Sequence, residues 1–353
     1  MLWKRIKLED FEFPTVLDYK KDYIEIDKEL PSEVILNKID KDSNLFIDNI
    51  DAKDYRGLGE KFTIFVEKSF NSGIYLDVPK STKIDSTIKV NYNMDNENPI
   101  IIDKNIIIAN ECSEATIVFD YTTLEKADCF HNGITKVIAK ENSIVNIIKI
   151  QRMNDVSPNF DTNIALVESN GKVNWISVEL GAIVSGSNYS TFLEDEASES
   201  NLSSIYLGDG SRKLDLGYSV IHKGARSISN IETRGVLMDS ARKVFRGNLD
   251  FKRGAKRASG IEEEYVILLD PTVKSDSIPA LLCDEDDVQG EHAASAGQID
   301  KNKLFYLMSR GLSERESKKL IIEATFRPII DKIPLEELQD IINSEISRRL
   351  TDA

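Results

Sequence analysis

The sequence predicts a mainly β protein, in which a parallel β-helix (a solenoid of stacked strand coils) lies between a small N-terminal region and a C-terminal α-helical module. Three observations predict this fold. Runs of β-branched residues fill the middle of the chain, a short turn followed by a strand recurs at a near-constant interval, and helical apolar spacing begins only after Gly297. We expect the N-terminal region over 1–60, the β-helix core over 61–297 and the helical module over 298–353.

The N-terminal region is charged and weakly patterned, with acidic and basic residues interleaved over 18–22 and 37–42. We expect a small, partly helical unit there. From residue 61 onward the chain changes to short runs of strand-forming residues. The predicted strands include 61–66, 86–90, 100–102, 105–109 and 115–119.

An internal repeat distinguishes a solenoid from a sandwich or a barrel. Segments of a polar turn followed by a strand recur about 27–29 residues apart, and they begin at Cys112, Glu141, Ser169 and Glu196. Two less regular copies begin at Asp239 and Lys252. One such coil cannot cover its own apolar face, so stacking the coils buries a continuous core. The two-residue turns of hairpins, which a sandwich would need, are sparse.

The helical module is predicted from capping and spacing signals. Ser313 and Glu316 form a capping-box pattern that opens one helix, and Pro334 suits the first turn of a final helix. One face of that final helix carries apolar residues at spacings of three and four, namely Leu335, Leu338, Ile342, Ile346 and Leu350.

Composition excludes several function classes. The chain of 353 residues has a net charge of −15, which repels phosphate backbones and anionic lipid surfaces. No apolar run approaches the roughly 18 residues of a membrane span, and the N-terminus shows no signal-peptide pattern. Three widely spaced cysteines, Cys112, Cys129 and Cys283, argue against a disulfide framework and predict a reducing, cytoplasmic location.

Few residues carry recognisable chemistry. There are three histidines and no phosphate-binding loop, nucleophile elbow or zinc-protease motif, so an ATPase, dehydrogenase or serine hydrolase is unsupported. Cys129 and His131 would share one side of a strand as a possible ligand pair, although a core thiol beside a hydrogen-bonded histidine is the simpler interpretation. By default Cys112 and Cys283 are also expected in the core.

Two acidic runs and one histidine remain. The run 284–287 is either a solvated loop or a cation site, and 262–264 is predicted to be a solvated strand edge. His292 lies among small residues where strand patterning gives way to helix, which leaves its imidazole accessible to a borderline metal. A structural histidine at this junction is the alternative.

The same junction resembles a known family. The segments 279–282, 286–288, 292–297, 299–300 and 304–311 resemble the C-terminal signature of the SufB/SufD family, in which L-F-Y-L-x-S-R-G is matched closely. Upstream, 71–79, 233–236 and 241–247 resemble the entry of the β-helix and coil segments of the family. The spacing D-D-V-x-x-x-H is typical of the SufD branch, whereas a SufB chain would usually carry Glu at Ala293 and Cys near Val273. Many SufD chains carry Cys at the position of Gly290.

The resemblance implies a right-handed parallel β-helix that acts as a non-enzymatic scaffold subunit. It implies a complex with a SufB-type subunit and a SufC-type ATPase, and the helical module would dock on the ATPase through Phe305, Tyr306, Arg310 and Gly311. A nascent iron–sulfur cluster would form at the subunit interface on His292, with Cys283 as a second candidate ligand. A reduced flavin in the complex is also implied, and the isolated chain would hold no cofactor.

Two alternatives stay open at this point. A self-pairing scaffold of the SufB/SufD type would work as a homodimer, since solenoid ends and edges promote self-association. A β-helix enzyme that acts on polysaccharides is disfavoured, because the acidic surface opposes polyanionic substrates.

Overall fold

The computed structural model describes residues 11–39, 57–124 and 126–352, with side chains up to Leu350. Parts of the predicted N-terminal region, 1–10 and 40–56, lie outside the described residues. The described strands and helices, in chain order, are β1 (Ile24–Ile26), β2 (Ile35–Lys38), α1 (Glu60–Ser69), β3 (Ile74–Val78), β4 (Ile88–Met94), β5 (Ile100–Ala109), β6 (Glu114–Thr123), β7 (Phe130–Ala139), β8 (Ile144–Arg152), β9 (Asn159–Val167), β10 (Lys172–Glu179), β11 (Val184–Leu193), β12 (Glu199–Gly208), β13 (Lys213–His222), β14 (Ile228–Leu237), β15 (Arg242–Phe251), β16 (Ala258–Leu268), β17 (Lys274–Ser277), β18 (Ala280–Cys283), β19 (Val288–Gly297), α2 (Lys301–Ser309), α3 (Glu314–Ile330) and α4 (Glu336–Asp352).

The strands form two sheets that face each other across the core. A nine-stranded sheet runs in the order β1-β4-β6-β8-β10-β12-β14-β16-β19. A ten-stranded sheet runs β17-β15-β13-β11-β9-β7-β5-β3-β2, and its tenth strand, β18, also pairs with β15. Successive coils pair in parallel, whereas β1 and β2 join the first coils in antiparallel. The chain therefore forms a β-solenoid of about eight turns, and the predicted parallel β-helix is confirmed.

The repeat seen in the sequence corresponds to one corner of the solenoid. At this corner four successive coils place a non-glycine residue at positive φ, namely Cys112, Asn142, Asn170 and Ala197. The N–H of each donates to a backbone carbonyl in the next coil at 2.9–3.0 Å, so the corners are hydrogen-bonded to one another like the strands. The irregular copy at Lys252 also follows a strand at this corner, whereas the copy at Asp239 lies at the opposite corner, between β14 and β15.

The C-terminal helices cover the outer face of the nine-stranded sheet. Phe326 and Ile329 of α3 and Ile342 of α4 are fully buried in a second apolar cluster with residues of β8, β10 and β12. Burying each such side chain stabilises the fold by about 1.5–3 kcal/mol. The guanidinium of Arg349 is 3.0 Å from the Asp209 carboxylate and so fixes the end of α4 at a solenoid corner. The helices and the capping box at Ser313 are confirmed.

The predicted strand at 61–66 is wrong, because this segment is helical and belongs to α1. Phe62 and Val66 lie one turn apart on the same helical face, and they pack on Ile102 and Phe160 on the outer face of the ten-stranded sheet. The many aromatic and β-branched residues suggested a strand, but the tertiary packing surface decided the conformation. Consequently the first solenoid strands are β3 and β4. None of the helices in the described ranges is long and apolar enough to cross a membrane.

Candidate functional site

The solenoid is open at its C-terminal end. Within the described ranges β19 pairs with β16 along one edge, and no strand pairs with its other edge. His292 lies in the middle of β19 and is exposed, as are most residues of this strand. The last coil is therefore an uncapped sheet edge that presents a histidine.

His292 lies on the interior face of the sheet. Its Cα partner in β16 is Glu262, and in β16 the buried residues alternate with the exposed ones from Gly260 to Val266. Because in-register residues of parallel strands project to the same face, the side chain of His292 projects to the same side as Glu262. The imidazole is exposed only because no further coil covers this face.

Below His292 the interior is charged, and the predicted solvated edge at 262–264 is therefore wrong for two of its three residues. Glu262 and Glu264 are 1% and 2% exposed, whereas Glu263 faces outward. The Lys243 ammonium is 2.6 Å from one oxygen of Glu264, and the other oxygen accepts a hydrogen bond from Ser277 at 2.5 Å. The adjacent glutamates looked solvated because the sequence alone does not show that a lysine from the facing sheet reaches them.

Glu262 has no such partner. Neither of its carboxylate oxygens has a hydrogen-bond partner among the described residues. Gly247 makes room for it, since a Cβ at this position would lie 2.5 Å from the carboxyl carbon of Glu262. Burial, and then the nearby Glu264 carboxylate, raise the pKa of Glu262 to about 7, while Lys243 opposes this rise. Sequence reasoning missed Glu262; the signals were its register with His292 and the glycine opposite.

Gly290 and Cys283 show how the last coil is filled. A Cβ at Gly290 would lie 2.6 Å from the Leu281 side chain, so Leu281 occupies the interior space where a cysteine would project. The corner that joins β18 to β19 lies between Cys283 and Val288. In β19, His292 lies two residues farther from this corner than Gly290 does, and in β18, Cys283 lies two residues nearer to it than Leu281 does. The structure therefore offsets Cys283 from His292 by about four residues, roughly 13 Å along the strands.

The remaining cysteines are not part of this site. Cys129 is buried, and burial raises the pKa of its thiol to about 11, so the thiol is protonated at neutral pH. His131 is bound by Asp103 at 2.7 Å and by Asn159 at 2.5 Å, which confirms the simpler interpretation of this pair. The expectation of core positions for Cys112 and Cys283 is wrong, because both are exposed. No group of three or more metal-ligating side chains occurs within the described ranges.

A second exposed surface follows directly along the chain. Phe305 and Tyr306 of α2 are 74% and 56% exposed, and Arg310 lies over the Tyr306 ring at 5.3 Å. Gly311 ends this segment at φ 99°, a conformation that favours glycine. An almost wholly apolar groove of about 480 Å³ runs between α2 and α3, lined by Tyr306, Leu307, Leu320, Ile321 and Ala324 among others. The four predicted interface residues therefore share one exposed, partly apolar surface.

Comparison with known proteins finds one matching family and several similar proteins. Residues 92–325 match the family model described as SUF system FeS cluster assembly, SufBD core domain. The chain is 28% identical over 295 residues to the iron–sulfur cluster assembly protein SufD of Bacillus subtilis, which covers 82% of this chain and 67% of that protein. It is 27% identical over 333 residues to an iron–sulfur cluster assembly SufBD family protein of Staphylococcus saprophyticus, covering 92% of this chain and 71% of that protein.

Proposed function

The chain belongs to the SufBD family of iron–sulfur cluster assembly proteins and is most like SufD, and from this premise we propose that it is a non-enzymatic scaffold subunit. It pairs with a SufB-type subunit and a SufC-type ATPase, and a nascent cluster forms at the interface between the two solenoid subunits. Its location is cytoplasmic. Reduced flavin is a further proposal at the level of the complex, with no residue of this chain assigned to it.

The unprotected edge of β19 is the observation that carries this proposal. Sheet edges are usually blunted by charges, proline or a covering element, because an open edge pairs with other strands. The last five residues of β19, 293–297, are small and uncharged, and all are exposed. A strand of a SufB-type solenoid can pair here, and His292 would then face the join. A cluster that is held at this join is cargo of the complex.

The α2 surface supports docking of the ATPase. Exposed aromatic and arginine side chains are typical of the centres of protein interfaces, where they bury large areas. Phe305, Tyr306 and Arg310 provide this chemistry next to the apolar groove. The face of α3 and α4 that packs on the sheet is already buried, whereas none of the α2 side chains is buried.

The docking proposal is tested by co-purification of tagged SufC-type ATPase with the full chain. We expect Phe305→Ala and Tyr306→Ala each to lower the retained chain at least tenfold, because interface aromatics carry much of the binding energy. Val156→Ala is the matched control, since Val156 is 54% exposed on a loop between β8 and β9. Undiminished retention of both aromatic variants would contradict the assignment. Point variants are preferable to removing 298–353, because that deletion would uncover the nine-stranded sheet.

Cluster formation is tested separately by anaerobic reconstitution of the three-protein complex with His292→Ala. We expect the cluster content per complex to fall at least fivefold, while Glu291→Gln, on the outer face of the same strand, stays at the unsubstituted level. Equal cluster content in both variants would remove His292 from the site. The assembly itself is checked by size-exclusion chromatography, so that loss of pairing is not mistaken for loss of a ligand.

A self-pairing scaffold is the second candidate, and the same open edge favours it. In that case two copies of β19 would pair across a twofold axis. Sedimentation of the chain with increasing SufB-type partner discriminates between the two. A heterodimer that displaces the homodimer supports the first proposal, whereas a homodimer that persists supports self-pairing.

A further inference from the structure

The open end contains two side chains that can bind one ion together. Glu262 and His292 are Cα partners on neighbouring parallel strands, and both side chains project to the interior face. Neighbouring strands lie about 4.8 Å apart. Carboxylate and imidazole ligands each lie about 2.0–2.2 Å from a bound metal ion, so one ion can bridge two side chains at this separation.

Of the two buried glutamates at this end, Glu264 and Glu262, only Glu262 has carboxylate oxygens that no described residue hydrogen-bonds. Glu264 accepts hydrogen bonds from Lys243 at 2.6 Å and from the Tyr206 hydroxyl at 3.0 Å on one oxygen, and from Ser277 on the other. Glu262, by contrast, is 1% exposed with both oxygens unsatisfied. Leaving a buried carboxylate without a partner costs free energy, and a bound cation removes that cost.

The surroundings of Glu262 are compatible with a cation. The positive charge of Lys243 is matched by Glu264, so the Glu262 carboxylate, when ionised, has no positive charge of its own to balance it. Gly247 provides the space into which the Glu262 carboxyl group fits. His292 lies on the solvent side of this cluster and is accessible to an incoming ion.

We propose that Glu262 and His292 together form a binding site for one divalent first-row transition-metal ion at the open end of the solenoid. One nitrogen and one oxygen donor suit a borderline ion such as Fe²⁺. Two protein ligands make a weak half-site, and water or a partner chain supplies the rest of the coordination sphere. The choice of Fe²⁺ as the ion in the cell rests on the proposed function, whereas the two-ligand site does not.

The test uses Co²⁺ as a spectroscopic probe on the isolated full-length chain. The protein is titrated anaerobically, and visible ligand-field absorption reports one bound ion. We expect Glu262→Gln and His292→Ala each to weaken Co²⁺ binding about tenfold, and the double variant to be little worse than either single one because the ligands share one ion. Glu263→Gln is the matched control, since Glu263 is adjacent in β16 but faces outward.

Three results would overturn the proposal: no stoichiometric Co²⁺ site in the unsubstituted chain, a change below threefold in Glu262→Gln, or an equal loss in Glu263→Gln. Folding is not at risk in the key variant, because Gln has the shape of Glu and removes a buried charge; a urea denaturation curve checks this. Failure here is distinguishable from failure of the proposed function. Co-purification of Glu262→Gln with the SufC-type ATPase tests the complex and does not depend on metal binding.

Discussion

Two acid–histidine pairs lie on the interior faces of the solenoid, one near its beginning and one at its open end. In the first pair, Asp103 and His131 are both fully buried, and the Asp103 carboxylate also accepts hydrogen bonds from Asn105 and Tyr121. Burial alone would raise the pKa of Asp103, yet His131 beside it holds the pKa below the usual value. In the second pair, Glu262 has no hydrogen-bond partner within the described ranges and a pKa of about 7, and His292 is exposed.

The difference shows that coverage by the next coil, not residue type, decides what a pair can do. A pair that is enclosed between coils becomes a satisfied network, which rigidifies the core. At the open end, Glu262 lies in β16 beneath β19 and has no hydrogen-bond partner among the described residues, whereas His292 in β19 is exposed because no coil beyond β19 covers it. Substitutions in covered and uncovered positions should therefore differ in their effect on stability.

The largest loss of stability is expected at Lys243, whose side chain is buried although it lies near the open end. Lys243→Ala leaves Glu264 buried without its 2.6 Å partner, and breaking such a pair by removing one member costs about 3–5 kcal/mol. The free energy of unfolding in urea measures this loss. A Lys243→Met, Glu264→Leu double variant is the control, because it removes both charges. A loss under 1 kcal/mol in Lys243→Ala would show that Glu264 is solvated after all.

The next effect is a pH dependence from a covered histidine. Burial lowers the pKa of His222 to about 4, and its ring nitrogens lie 2.8 Å from the hydroxyls of Ser227 and Ser229. Between pH 6.5 and 4 the unfolded state binds the proton more readily, so this stabilising contribution is complete above pH 6.5 and lost as the pH falls to about 4. The contribution amounts to at most about 3 kcal/mol.

The measurement compares unfolding free energies at pH 7.5 and pH 5 for the unsubstituted chain and His222→Asn. Because carboxyl groups titrate in the same range in both proteins, the difference between them isolates the contribution of His222. We expect the advantage of the unsubstituted chain over His222→Asn to shrink at pH 5. A constant difference from His222→Asn would mean that His222 is not held neutral.

A smaller difference in stability is expected when the carboxylates of Asp103 and Glu262 are each replaced by an amide. Asp103→Asn keeps the shape of the side chain but removes the charge that His131 and two further donors bind, so we expect a loss of about 2 kcal/mol. Glu262→Gln removes a charge that nothing hydrogen-bonds, so we expect a change below 1 kcal/mol or a gain. Equal losses in urea denaturation would mean that coverage does not distinguish the two pairs.

The sequence predicted the coils better than it predicted their ends. The turn-and-strand repeat is visible because the same corner conformation recurs at Cys112, Asn142 and Asn170, and each corner is hydrogen-bonded to the next. The helical conformation of 61–66 was not visible, because it depends on Phe62 packing on strands far along the chain. The local sequence pattern therefore predicts the elements that repeat. It fails for a segment such as 61–66, whose conformation is decided by packing on residues outside the repeat.

The candidate site was predictable only in part for the same reason. His292 stood out from its position at the strand-to-helix junction, and the structure places it on the exposed edge strand. Glu262 did not stand out, because its burial depends on Gly247 and Lys243 of the facing sheet, which the sequence separates from it by 15 and 19 residues. Cross-sheet contacts of this kind follow from coil register, which the repeat indicates only approximately.

The smallest expected effect concerns how tightly the last coil is packed. Gly290→Cys introduces a side chain whose Cβ would lie 2.6 Å from Leu281 and 3.1 Å from Phe251. Overpacking of this size costs about 1–2 kcal/mol where neighbours cannot move. Phe251 is fully buried, but Leu281 lies in the partly exposed strand β18 and can shift. We therefore expect a loss near 1 kcal/mol in urea denaturation, which the additional change Leu281→Ala offsets in part by making room. A loss of unfolding free energy above 3 kcal/mol would show that the last coil is as rigid as the coils that are covered on both sides. The two ends of the solenoid would then differ in exposure but not in rigidity.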